Sequence, residues 1–209
     1  MSGRIIDISQ AIGPETVVWP GDTKYSQKRV MELDKSCPCN VTTITMSVHC
    51  GTHADAPLHY DAAGCTPAEM DLAPFIGPCR VIDVQSDDAI YPSDFDDVDL
   101  GHIRRLIFRT KRPSPEKTWR DDYAYMSQEA ATVLAAAGVL LVGSDAASMD
   151  PMTSKTLDAH KTMNTAGIRW LENLDLSRAP AGDYELIAAP LKLSHADAAP
   201  VRALLRTLS

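Results

Sequence analysis

Apolar and β-branched positions along this chain fall into short runs rather than one long period. Residues 4–9 alternate weakly and predict an opening strand, ended by Gly13-Pro14. Val17-Val18-Trp19 then runs into Pro20-Gly21, a turn signal. Residues 41–49 (Val-Thr-Thr-Ile-Thr-Met-Ser-Val-His) alternate and are rich in β-branched side chains, which predicts the clearest strand of the first half. A short helix is expected over 66–72, and strands over 80–84 and 105–110. Ser127-Gln128-Glu129 has the chemistry of a helix start; the Ala-rich run to Ala137 continues it and Gly138 stops it. Residues 139–142 predict a short buried strand, a second helix is expected within 157–171, and 187–193 predict a strand interrupted by Pro190. Strands and helices in this order predict an α/β or α+β fold with a mixed sheet.

Composition narrows the class. The 209 residues are 44% hydrophobic and 23% charged, near the globular norm, and long enough for one domain over 1–209 with its own core. The net charge of −8, with no basic stripe, argues against nucleic acid. The most apolar stretch, 130–143, is shorter than the roughly 20 residues a membrane span needs. No leader pattern opens the sequence, and five cysteines without paired spacing fit reduced thiols in a cytoplasm. Residues 87–99 hold six aspartates but lack the glycine and closing glutamate of a calcium loop, so they read as a solvated acidic loop. Residues 112–122 read as a polar, proline-containing loop.

One segment carries chemistry: His49-Cys50-Gly51-Thr52-His53-Ala54-Asp55-Ala56-Pro57-Leu58-His59. Its three histidines and one aspartate all occupy odd positions, which a strand would direct to one face. On a straight strand His49 and His53 would stand ~13 Å apart, too far to share an ion. A bend at Gly51-Thr52 would bring them together; a pair of metals sharing the face is the alternative. Imidazoles with a carboxylate suit Zn²⁺, with Mn²⁺ or Fe²⁺ next. Cys37-Pro38-Cys39 lacks the second pair that a closed thiolate site requires, and Cys50 has the parity to face away. On sequence chemistry alone, His160 and Glu172 read as solvated side chains in a polar stretch. No G-x-S-x-G elbow supports a serine hydrolase.

The eleven-residue segment resembles the H-x-G-T-H-x-D-x-P-x-H signature of the cyclase superfamily, and within it the bacterial kynurenine formamidases (arylformamidases). The stretches Trp19-Pro20-Gly21-Asp22, Gly143-Ser144-Asp145-Ala146-Ala147-Ser148-Met149-Asp150-Pro151, Glu172-Asn173-Leu174 and Asp197-Ala198-Ala199-Pro200-Val201-Arg202-Ala203 are similar to further elements of that family. Ser144 stands where Ile is frequent, and Ala198 where Gly is common, which bears on pocket shape. The resemblance implies an α/β fold of the swivelling β/β/α kind, with a mixed sheet flanked by helices. It implies zinc ligands His49, His53, Asp55, His160 and Glu172 holding one or two ions per subunit. It also implies proton transfer by His59, a substrate wall at Trp19 and a homodimer. The implied reaction is hydrolysis of N-formyl-L-kynurenine to L-kynurenine and formate. An isatin-hydrolase-like amide or lactam hydrolase, and a metal-dependent binding protein without turnover, are the competing expectations.

Overall fold

The computed structural model describes residues 3–114 and 118–208. Its strands are β1 (Ile5–Asp7), β2 (Ser26–Met31), β3 (Val41–Thr45), β4 (His53–Asp55), β5 (Ile76–Asp83), β6 (Ala89–Ile90), β7 (Arg105–Arg109), β8 (Tyr125–Met126), β9 (Leu141–Ser144), β10 (Arg169–Glu172), β11 (Gly182–Ile187), β12 (Ala198–Pro200) and β13 (Leu204–Thr207). Two α-helices, α1 (Gln128–Ala136) and α2 (Asp158–Thr165), fall before and after β9. Nine strands form one mixed sheet in the order β1-β13-β11-β5-β7-β9-β10-β4-β12. Its middle, β5-β7-β9-β10, is parallel, and every other neighbouring pair is antiparallel. The expected α/β class with a mixed sheet is what the chain adopts.

The sheet separates two apolar clusters, and strand alternation decides which side chain joins which. Leu106, Phe108, Val142 and Trp170 pack with Ala130 and Leu134 of α1 and Ala159 and Met163 of α2. Ile107, Leu141, Leu171 and Ala54 point to the opposite cluster, with Phe75, Leu186 and Leu205. This parity positions the chemistry. In β4 Ala54 takes the second cluster, so His53 and Asp55 face the helices. In β10 Leu171 does the same, so Glu172 shares the helix face with Trp170. The β10–β4 register then sets Glu172 directly opposite His53.

Several expected elements differ. The strand over 41–49 ends at Thr45, and 46–52 is a turn region instead of a continuation. The expected helix over 66–72 is a series of turns, with Thr66 and Glu69 bonded side chain to backbone. The helix expected within 157–171 forms as α2; Gly167, at φ +75°, then takes a left-handed turn and β10, which was not expected, follows. The strand over 187–193 begins earlier, as β11, and ends at Ile187; Pro190 makes only an isolated bridge to Val201. The helix capped at Ser127 forms as expected, with the Ser127 hydroxyl accepting from Ala130 N at 3.0 Å. Within the expected loop over 112–122, residues 115–117 lie outside the described residues.

Candidate metal centre

The motif turns where Gly51 stands. Gly51 has φ +68°, a left-handed conformation, and a Cβ there would lie 2.9 Å from Ile12 Cγ1. The turn carries His49 back beside His53, with ring centroids 4.9 Å apart, and β4 then delivers His53 and Asp55 on one face. His59 ends a 3-10 turn over Pro57–His59 that Pro57 starts, and its ring lies 4.4 Å from that of His49. His160 comes from the inward face of α2, and Glu172 from the end of β10. The single-face parity expected over 49–59 therefore holds only for His53 and Asp55; the turn and the 3-10 segment bring in the other two.

His49 Nδ1 lies 3.1 Å from Asp55 Oδ1, and His53 Nε2 lies 3.3 Å from the same oxygen. His53 Nε2 is 3.4 Å from Glu172 Oε2, and His160 Nε2 is 3.3 Å from Glu172 Oε1. Three groups of side chains could hold a cation: His49-His53-Asp55 and Asp55-His160-Glu172, which share Asp55, and the more exposed His49-His59-Asp197. His53, Asp55, His160 and Glu172 are all buried.

The hydrogen bonds behind these groups fix where their lone pairs point. His53 Nδ1 donates to Gly51 O at 2.9 Å, which leaves Nε2 as an acceptor facing inward. His160 Nδ1 is held by the Asp150 carboxylate, which also accepts from His160 N at 3.0 Å and Ala159 N at 3.2 Å. Asp55 Oδ2 accepts from the Tyr60 hydroxyl and from Trp170 Nε1 at 3.2 Å, so Oδ1 is the free oxygen. Glu172 Oε1 accepts from Met149 N at 3.0 Å. Among the described residues, His53 Nε2 and Asp55 Oδ1 are buried and lack a hydrogen-bond partner. A nitrogen lone pair and an anionic oxygen facing each other in a buried space repel unless a positive charge lies between them. This donor set fits a divalent cation.

The protonation energetics agree. Burial opposes a charge on His53, but the facing Asp55 and Glu172 carboxylates prevail and raise its pKa to about 10. Burial likewise opposes a charge on His160, and Asp150 and Glu172 raise its pKa to about 9. Asp55, despite its burial, is held well below the usual carboxylate range by His49 and His53. The cradle demands positive charge, which a metal supplies only by displacing those protons.

Above the cradle opens a cavity of about 320 Å³, whose lining includes Trp19, Asp22, His59, Trp119, Ser148 and Asn173. Trp19 sits edge-on to Trp119, with centroids 4.9 Å apart, and Tyr123 stands 6.5 Å from Trp19. All seven residues singled out in the sequence thus meet at one place. Reading the sequence missed the groups behind them: Tyr60, Asp150, Trp170 and Asp197, and Trp119 on the wall. The helix start at Asp158 could have flagged Asp150, because an acceptor is needed there and α2 has no side-chain cap of its own. Trp170 and Asp197 had no local signal.

Comparisons with known proteins give the family. The cyclase family model matches residues 6–151. The chain is 45% identical over 210 residues to a kynurenine formamidase of Delftia acidovorans (strain DSM 14801 / SPH-1), covering 100% of both. It is 46% identical over 210 residues to one of Bordetella avium (strain 197N), covering 98% of this chain and 99% of that protein. The chain belongs to the cyclase family, in its kynurenine formamidase branch. A solved structure described as a potential metal-dependent hydrolase with cyclase activity superposes with a TM-score of 0.85 at 30% identity, covering 99% of this chain and 98% of that one. In this cyclase-family chain the signature motif maps onto the turn at Gly51, β4 and the 3-10 segment.

Proposed function

We propose that the chain is a metal-dependent hydrolase that cleaves the formamide bond of N-formyl-L-kynurenine, releasing L-kynurenine and formate. The observation that carries this is the cradle itself: inward lone pairs on His53 and His160, a free Asp55 oxygen between them, and His59 beside it with a half-exposed ring. His49, His53 and Asp55 would hold one ion, and Asp55, His160 and Glu172 a second. A set of imidazoles and carboxylates without thiolate suits Zn²⁺, and Mn²⁺ accepts the same donors. A bound divalent cation supplies Lewis acidity toward a carbonyl and lowers the pKa of water to about 7.

The chain's own residues supply the rest. The Trp19–Trp119 wall flanks the cavity and takes the aryl ring of the substrate by edge or offset stacking. That places the formyl group over the cradle. As a water oxygen attacks the formyl carbon, His59 takes up the proton that the water gives up, and the carbon–nitrogen bond then breaks. The departing aryl nitrogen needs a proton, and His59 would return to it the one taken from water. An imidazole suits this transfer near neutral pH. The buried Tyr60 hydroxyl is held neutral by burial and by the charges of Asp55 and Glu172, so it serves as a donor to Asp55 and not as a base.

The hydrolase acts as a single domain over 1–209, in the cytoplasm, and as a homodimer. Supporting the dimer, every residue of strands β2 and β3 is exposed, with Val30, Met31, Val41 and Ile44 at 40–52% exposure. A two-stranded hairpin is marginal alone and gains cover from a second copy. Among the described residues no helix is long and apolar enough to cross a membrane.

The test pairs metal analysis of the purified protein with a formate-release assay on N-formylkynurenine, before and after chelation. Zinc at one or two ions per chain, with activity lost on chelation and restored by Zn²⁺, is the expected result. Full turnover in chelated, metal-free protein would refute the reading.

A further inference from the structure

We propose that Asp197 is the positioning residue for His59: it fixes which imidazole nitrogen faces the cavity and so makes the proton transfer directional. The inference deepens the formamidase reading and rests on it. Asp197 immediately precedes β12, and its backbone oxygen accepts from Ala56 N at 2.8 Å. The next residue, Ala198, pairs with Asp55 in the β12–β4 ladder. The carboxylate is therefore placed by the same strand that carries the cradle.

Its Oδ2 lies 2.7 Å from His59 Nδ1 and 3.1 Å from His49 Nε2. An ionised carboxylate only accepts, so both of those nitrogens carry hydrogen. For His59 the consequence is that Nε2 is the nitrogen left to hold or release the working proton. For His49 the consequence is that Nδ1 carries the lone pair, directed at Asp55 Oδ1.

The two rings differ in their dependence on this oxygen. His49 is also packed on His53, with its other nitrogen turned toward Asp55 in the cradle. His59 sits on a 3-10 segment with no buried residue, and its side chain is 33% exposed. Asp197 is its hydrogen-bonding anchor, and the carboxylate lies behind the rings, outside the cavity lining. The role is orientation of His59, with no contact to substrate.

The experiment uses the full chain with its metal and the variants Asp197→Asn and Asp197→Ala, each alone and combined with His59→Ala. Folding is checked by thermal melts, and the isosteric Asn variant guards against collapse of the Ala variant. The kcat is expected to fall about 10–100-fold, the range for an outer partner of a working histidine, with metal content unchanged. In the His59→Ala background the same change should cost less than about twofold, because its route of action is gone. Nitrogen-15 NMR of labelled histidines should show His59 protonated at Nδ1 in the wild type, with tautomers mixed in Asp197→Ala. Metal lost in step with activity, an undiminished penalty when His59 is already absent, or an unchanged His59 tautomer would each overturn the proposal. The NMR and metal readouts need no substrate. A chain that released no formate would thus sink the formamidase reading while leaving the positioning of His59 measurable.

Discussion

The floor of the site and its rim are built by different means. On the floor, His53, Asp55, His160 and Glu172 are each 2–5% exposed and each has an outer partner that fixes its orientation. At the rim, Trp19 is 37% exposed, His59 and Asp197 have side chains 33% and 42% exposed, and turns or loops hold all three. The floor is a charge-binding device set by sheet register, where an error of one position would reverse every side chain. The rim handles what enters and leaves. The contrast separates two kinds of failure: floor variants should lose the ion, and rim variants should keep it.

The largest effect is expected from His53→Ala. It removes a buried lone pair from the His49-His53-Asp55 position and leaves Asp55 Oδ1 and Glu172 Oε2 without the nitrogen that lies close to both. Metal should disappear from the purified protein and formate release should fall by at least the roughly 10²–10³-fold that one oxyanion donor is worth. A variant that keeps both its zinc and its activity would erase the distinction between floor and rim.

His59→Ala is next. Loss of a positioned proton donor costs typically about 10²–10⁴-fold in turnover. Metal content should match the wild type, because the five floor and turn ligands remain. If zinc is lost instead, His59 belongs with the floor, and the candidate cluster of His49, His59 and Asp197 becomes the better description of its role.

Asp150→Asn should fall between the two classes. Asp150 touches no candidate cation position but accepts from His160 Nδ1 and from the first amides of α2. Metal affinity should drop about 10–100-fold, and excess Zn²⁺ should restore turnover. Titration of the stripped protein with zinc measures this directly. Wild-type affinity would mean that packing of α2 alone orients His160.

How much of this was legible beforehand follows the same line. The eleven-residue motif exposed half of the floor, because a glycine among like-parity histidines has few other uses. The kink at Gly51 and the cap at Ser127 were readable because they are local chemistry. His160 and Glu172 read as solvated, since their burial is created by partners far away in sequence: Asp150 behind one and β4 opposite the other. The helix within 157–171 was legible, whereas β10, which follows the turn at Gly167 in the same stretch, was not. The strand β2, with Ser-Gln-Lys-Arg in its first four positions, carried no hydrophobic alternation to find, in keeping with its exposure along its whole length.

The smallest effect, and the finest test of the comparison, comes from two tryptophans. Trp170 is buried beneath the floor and donates to Asp55; Trp19 lines the cavity against Trp119. Trp19→Ala removes one aromatic wall, worth about 0.5–1.5 kcal/mol beyond its area, so KM should rise about 2- to 10-fold. Its kcat, metal content and Tm should stay near wild type, since over a third of the side chain already meets solvent. Trp170→Phe keeps most of the packing but takes a hydrogen bond from the Asp55 carboxylate, leaving a buried charge with one donor fewer. It should therefore lower metal affinity with little change in KM once zinc is in excess. If Trp19→Ala lowered Tm without moving KM, its indole would be scaffold, and the division between floor and rim would have to be drawn above Trp119.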